Sequence, residues 1–485
     1  MPTLQFNGRI LIIGCGGVAQ CTVPLILKHI DMPRNRITVL DMVDNRARIA
    51  SALEQGVNYV QEAITEERFA GQLARFVGPG DLIIDLSWNL GTVDLLEWCH
   101  ANDVLYINTS VELWDPYAND KAQTTERTLY VRQMALRKMV AGWENKNGAT
   151  AVVDHGANPG LVSHFTKMGL LDIARKLVDE KPHDHRRPAI EAAMSERQFN
   201  VLAQLLGVKV IHISERDTQI TSKPKQVNEF VNTWSVEGFF EEGIAPAEMG
   251  WGTHEQTLPP GARLHQSGPR NQICLTSYGI NTWVRSWVPC GEITGMVIRH
   301  GEAFSISDYL TVYGEDGHAV YRPTVHYAYC PCDAAIASLH EMKMRHYELQ
   351  PSWRIMSDDI VSGRDELGCL LMGHDFKSWW IGSVLDIEEA RRLVPGQNAT
   401  TLQVAASVIG AVHWMVRNPR RGLNLPDHLP HEEVMEISAP YLGPLVSQPV
   451  DWMPGQYRDT AATLRPDYPA ADTDPWQFSR FLIVE

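Results

Sequence analysis

Cysteine is scarce in this chain. Eight cysteines in 485 residues are too few and too scattered for a disulfide framework. Cys330 and Cys332 lie only two apart, poor spacing for a bridge or for two ligands of one tetrahedral zinc. His326 is the one neighbour that fits a metal set, and no metal is expected. No run of about twenty apolar residues is present, so nothing is expected to span a membrane. The N-terminus "MPTLQFNGRILIIGCGG" has no basic leader followed by a small-residue cleavage site, and a reducing cytoplasm is the default expectation. Basic residues are the minority: 43 Lys and Arg against 58 Asp and Glu, a net charge of −15. That field repels phosphate backbones and anionic membranes, which argues against nucleic acid as a partner. It favours a cationic ligand. There is no low-complexity tract, and 44% hydrophobic with 21% charged residues fits a soluble globular enzyme. The length exceeds what one core fills, so at least two domains are expected.

The pattern along the chain divides accordingly. Short apolar runs, "RILIIGC" (9–15), "RITVLDM" (36–42), "VNYVQEA" (57–63), "DLIIDLS" (81–87), "VLYINTS" (104–110) and "TAVVDHG" (150–156), alternate with helical segments. Apolar strands separated by helices predict a parallel sheet covered on both faces. From about Gly207 the strands are longer and more alternating, including "VKVIHISERD", "VNTWSVEGFF" and "ITGMVIRHGEAFSIS". This predicts a mostly antiparallel sheet in a second, α+β domain. "NATTLQVAASVIGAVHWMVRNP" (398–419) reads as a buried helix, and the Pro-rich tail after Pro426 reads as irregular but docked through its tryptophans. The expected division is 1–160, 161–395, and a helix-plus-tail segment 396–485 returning to the first domain.

The sharpest local signal is "ILIIGCGGVAQ". Gly14, Gly16 and Ala19 form G-x-G-x-x-A between a predicted strand and a predicted helix. Gly14 suits the tight turn, Gly16 lets the backbone approach a pyrophosphate, and small Ala19 lets helix and strand pack closely. With Gly17 and Val18 they open a helix whose free N–H groups favour phosphate. Asp41 ends the next strand, where a carboxylate accepts ribose hydroxyls and repels a 2′-phosphate, favouring NAD over NADP. Further candidates sit where strands end: Ser87 with nearby Asn89, Thr109 with Glu112 just beyond, and Asn158 in the turn "GANPG", aimed at the nicotinamide.

The second half carries carboxylates among aromatics. Strand alternation puts Glu215 and Asp217 on one face, and His300 and Glu302 on another. It also gives Trp234 and Glu242 the same parity, with Glu237 opposite and Asp365 in a loop or turn. An aromatic face attracts an ammonium ion, and a carboxylate adds a charge-assisted hydrogen bond. Arg216, Arg285 and Arg299 serve either a substrate carboxylate or their acidic neighbours. An amine must lose a proton before its α-carbon yields hydride to NAD, so a base is required, His300 or a desolvated glutamate.

"ERDTQ", "VNTWSVEGF", "GWGTHE", "YRPTVHYAY", "SLHEM" and "DELG", with "GANPG" and "GCGG", resemble the bacterial homospermidine synthases of the saccharopine dehydrogenase-like group. The resemblance runs from Arg9 to the "DTDPWQF" stretch at 472–478. It implies that one putrescine is oxidised to an imine by NAD, a second displaces ammonia, and the retained NADH reduces the product to homospermidine. It also implies a homodimer, and a pocket lined by Glu215, Trp234, Glu242, His300, Glu302 and Asp365, with Glu112 and Asn158 on the cofactor side. Asn89 departs from an aspartate found in relatives. Two other readings stay open: a net amine or imine oxidoreductase of saccharopine or carboxyspermidine type, and a non-catalytic NAD-binding sensor.

Overall fold

The computed structural model describes residues 3–119, 121–457 and 474–483. The apolar runs of the first part form seven strands that pair only in parallel. They are β1 (Ile10–Ile13), β2 (Ile37–Asp41), β3 (Asn58–Gln61), β4 (Leu82–Asp85), β5 (Leu105–Asn108), β6 (Ala151–Val152) and, from far along the chain, β17 (Leu423–Asn424). Their order, β17-β6-β5-β4-β1-β2-β3, reverses direction of growth beside β1. Ligands bind at such a switch point, beyond the carboxyl ends of the strands. Among the helices between them are α1 (Gly17–His29), α2 (Thr92–Ala101) and α3 (Leu129–Gly142). A tight 3₁₀ turn at Thr124–Arg127 precedes α3. Helix α4 (Leu161–Glu180) then leads out of this unit.

The second sheet has ten strands, mixed rather than wholly antiparallel. Its members include β7 (Val210–Asp217), β9 (Pro246–Gly250), β10 (Ala262–Leu264), β11 (Gln272–Tyr278), β14 (Thr324–Cys330), β15 (Arg364–His374), β16 (Lys377–Asp386) and β18 (Leu445–Val450). They run β10-β11-β9-β14-β7-β15-β16-β18, with the hairpin β12 (Trp283–Val288) and β13 (Gly291–Met296) joined to β14. Among the described residues of this sheet only β14 and β7 pair in parallel, and the other pairs are antiparallel.

Helix α8 (Ala399–Arg417) is apolar on nearly its whole circumference because it is enclosed by neighbours rather than lying on the surface. Among the described residues it is the one helix long and apolar enough to cross a membrane, and it is buried within the fold. It packs on α1, and Asn398 caps it by accepting the Thr401 N–H at 2.8 Å. The chain then adds β17 to the nucleotide sheet and β18 to the second sheet, so the C-terminal segment stitches the two together. The tail is more regular than its composition predicts, holding helix α9 (His431–Ser438) as well as β18. Trp452 and Trp476 are buried, as expected of docking residues. Residues 472–473 of the "DTDPWQF" stretch lie outside the described residues.

Three local expectations are corrected. Of the stretch 231–240 only Val231 and Asn232 are strand, the end of β8 (Glu229–Asn232), which lies off the large sheet. The Ser235 hydroxyl then accepts the Gly238 N–H at 3.0 Å and starts helix α5 (Val236–Gly243), a serine cap overriding strand-like composition. The strand read through Ser307 stops at Met296, and helix α6 (Glu302–Tyr309) follows. Strand parity therefore explains neither the Trp234–Glu242 nor the His300–Glu302 pairing. Asp365 is not in a loop; it is fully buried in β15, directly across from Asp217 in register.

Candidate functional site

The turn after β1 has the shape its glycines predict. Gly14 adopts φ +88°, and a Cβ there would stand 2.8 Å from the Leu86 carbonyl oxygen. Nothing lies within 4 Å of the space a Gly16 Cβ would fill, so that backbone is open to a ligand. Gly17 has a different cause: a Cβ would meet the Thr401 methyl of α8 at 3.2 Å. Ala19 is buried in the helix–sheet contact. Asp41 holds the turn by accepting the N–H groups of Cys15 and Val43.

A cavity of ≈ 220 Å³ runs from this turn into the second domain. Val18, Ser87, Thr109, Glu112, Asn158, Glu215, Trp234, Glu242 and His300 all line it. Asn89 does not. It sits in a left-handed conformation, φ +60°, with Oδ1 buried and unpartnered. Asp365 and Glu302 lie behind the wall. Asp365 accepts the hydroxyl of Thr400, a wall residue, at 2.6 Å. Glu302 Oε1 is 3.5 Å from His300 Nδ1. Asn158, expected at a nicotinamide, donates to Glu215 Oε2 at 3.1 Å. Ser87 donates to Asp85 at 2.5 Å.

The electrostatics are uneven. Burial pushes the Glu215 carboxyl up to about 7, although the Tyr327 hydroxyl and Asn158 amide both stabilise its charged form. Burial and then Glu241 push Glu112 up to about 7. Ser110 donates to Glu112 at 2.6 Å, and Arg132 is 3.9 Å away. His300 moves the other way. Burial opposes its charge, but Glu242, at 2.8 Å from Nε2, and Glu302 outweigh it and hold it as imidazolium. Burial and then Glu215 raise Asp365 well above the ordinary carboxylate value. Trp234 donates its indole N–H to the Tyr329 hydroxyl at 2.9 Å and leaves ring surface on the cavity wall.

Sequence reasoning missed Glu241, Arg132, Trp88, Tyr327 and Asp154, all on the cavity wall. Glu241 accepts Arg132 at 2.5 Å and also Arg299, and Trp88 Nε1 lies 3.3 Å from its other oxygen. Burial opposes its charge, and the two arginines pull its carboxyl below the usual value. The cap Ser235 was the available signal, since a helix rather than a strand brings both Glu241 and Glu242 to this end. Arg299 thus neutralises an acid. Arg216 and Arg285 bond outside the cavity, to Asp333 and the Leu482 carbonyl. Tyr327 and Asp154 also face the cavity. No local pattern marks them, because strand register between distant segments places Tyr327 beside Glu215.

The residues present fit a dinucleotide: a glycine turn with open backbone, a carboxylate at the end of β2, and a cavity starting at Val18. Comparison with known proteins agrees. Residues 10–152 match the family described as saccharopine dehydrogenase NADP binding domain, and 156–450 match the saccharopine dehydrogenase C-terminal domain. The chain is 42% identical to homospermidine synthase of Blastochloris viridis over 99% of its length and 98% of that protein. It is 40% identical to homospermidine synthase of Mesorhizobium japonicum over 99% of its length and 97% of that protein. The crystal structure of homospermidine synthase from Legionella pneumophila in complex with NAD superposes with a TM-score of 0.86, at 35% identity and 99% coverage of both chains. A carboxylate-rich, tryptophan-walled cavity opening from a dinucleotide turn is thus joined to full-length similarity, and the chain belongs to the homospermidine synthase family.

Proposed function

We propose that this chain makes homospermidine from two putrescines, using NAD without net consumption. The observation that carries the reading is one cavity that joins the nucleotide turn to Glu215, Glu112, Glu242 and the Trp234 ring. Gly14, Gly16, Gly17 and Val18 would present backbone to the pyrophosphate, Asp41 would meet the ribose, and Ser87 and Thr109 would border the nicotinamide. Asn89 lies off the wall. When bound, NAD supplies the hydride acceptor for the first amine and the donor for the condensed imine.

The protein's own groups do the rest. Glu215 takes the proton of the first ammonium: Tyr327 and Asn158 both hold Oε2, which leaves Oε1 for substrate. His300, already protonated between Glu242 and Glu302, fixes those carboxylates rather than serving as base. Asp365 and Glu302 back Glu215 and His300 from behind the wall. Glu112 and Glu242, with the Trp234 face, hold the distal ammonium. Arg132 and Arg299, the arginines lining the cavity among the described residues, are both paired to Glu241, which favours a diamine over an amino-acid substrate. The homodimer that the family resemblance implies belongs to this reading, and a light-scattering mass decides it.

Purified protein given putrescine and catalytic NAD is expected to form homospermidine and ammonia over many turnovers without a rise in the NADH band. Stoichiometric NADH release would make it a net amine dehydrogenase instead. Trp234→Ala is expected to raise KM for putrescine roughly 2- to 30-fold, the value of a cation–π contact, with Trp234→Phe losing less. Full activity of the alanine variant removes Trp234 from the cation site.

A further inference from the structure

Asp154 follows β6 at the carboxyl edge of the nucleotide sheet. It adopts φ +59°, a left-handed backbone uncommon for any residue with a side chain. The Asn108 Oδ1 holds this turn by accepting the Asp154 N–H at 3.0 Å. The side chain is buried and reaches the cavity wall. Gln133 donates to Oδ2 at 2.7 Å. Gly301 passes so close that a Cβ there would sit 2.5 Å from Oδ2, so a larger residue would push this carboxyl aside. Its charged neighbours are Glu302, Glu112 and His300. His300 is the neighbour it shares with Glu215.

We infer that Asp154 carries the proton during amine exchange, an assignment that rests on the reaction proposed above. Oxidation of the first amine leaves Glu215 protonated, so a second acceptor is needed before condensation can finish. The neutral amine of the second putrescine forms a C–N bond to the iminium carbon. In the resulting gem-diamine the new nitrogen has one proton too many and the old nitrogen one too few. The Asp154 carboxylate accepts the proton from the new nitrogen and passes it to the old one. The old C–N bond then breaks with its electron pair leaving on ammonia, and the lone pair of the new nitrogen closes the C=N bond. No electrons are gained or lost, and the carboxylate is regenerated. Burial, with Glu302 and Glu112 adding to it, pushes Asp154 up to about 7. A group of that strength both takes and returns a proton near neutral pH.

The holoprotein with NAD, mixed rapidly with putrescine, separates the two halves of the reaction. Asp154→Asn keeps the shape and an acceptor for Gln133. Its first-phase NADH formation is expected within about 3-fold of wild type, while homospermidine turnover falls about 100-fold or more and the NADH band persists. Unchanged turnover, or a first phase that falls as far as turnover does, would overturn the assignment. Gln133→Leu keeps the carboxyl but removes its amide donor, and is expected to move the pH dependence of NADH decay upward without moving that of NADH formation. An unmoved decay profile also counts against it. Wild-type protein that forms no homospermidine at all would defeat the reaction reading itself, a result distinct from either variant's.

Discussion

Glu215→Gln is expected to lower homospermidine turnover by about 10²- to 10⁴-fold, the span of a lost general base, with NAD affinity unchanged. Glutamine keeps the volume and can still accept from Tyr327 and Asn158, so packing is retained and only proton acceptance is removed. A turnover within about 3-fold of wild type would dismiss Glu215 as the base. The pH profile adds a second test. Burial places the Glu215 carboxyl at about 7, so the active carboxylate forms as pH rises through that value and kcat/KM rises with it. Tyr327 donates its hydroxyl to this carboxylate. Tyr327→Phe removes that stabilisation and is expected to move the acid limb to higher pH. Stability runs the opposite way. The folded protein holds the Glu215 proton more tightly than the unfolded chain does. The resulting stability is fully present below the ordinary carboxylate value and is lost as pH rises through about 7. Glu215→Gln is therefore expected to melt above wild type at pH 8 and close to it at pH 5.

The largest stability effect is expected at Glu241. This carboxylate is buried against Arg132 of α3 and Arg299 beside the His300 loop. Arg299 also donates to the Arg127 carbonyl at 2.8 Å. The triad thus clamps the nucleotide unit to the second domain next to the cavity. Glu241→Ala would leave two buried guanidinium groups without their hydrogen-bonded counter-charge, at a cost of about 3–5 kcal/mol. The measurements are chemical unfolding midpoint and melting temperature. Joint replacement, Arg132→Met with Glu241→Leu and Arg299→Met, is expected to recover much of that loss, because a buried ion network exchanged for apolar packing is often close to neutral. It is not expected to recover activity, since Glu112 and Glu242 lose their electrostatic neighbours. A Glu241→Ala protein that unfolds like wild type would mean that water already screens the triad.

The nucleotide half was legible because its signals are local. G-x-G-x-x-A is a turn whose steric demands fall within six residues, and Asp41 ends the very next strand of the sheet. Apolar runs alternating with helices leave a parallel sheet as the only economical packing. The second half was legible in composition but less so in geometry. Trp234 and Glu242 stood out as an aromatic among carboxylates and by family resemblance; a serine cap makes the segment helix α5 rather than strand, and the two reach one cavity by that route. His300 and Glu302 meet across a loop-to-helix junction rather than along a strand, because the strand ends at Met296.

Residue types and short spacings therefore determined that this chain carries a glycine turn suited to a dinucleotide and an acidic, aromatic second half, and that it resembles the homospermidine synthases. Tertiary structure alone decided which acids are partnered, which are pushed toward neutrality and which side chains share the cavity. Arg132 meets Glu241 across 109 residues and Tyr327 meets Glu215 across 112. Such meetings depend on the pairing of non-sequential strands and on how two domains close. Burial, which sets proton affinity here, exists only once that closure has excluded water.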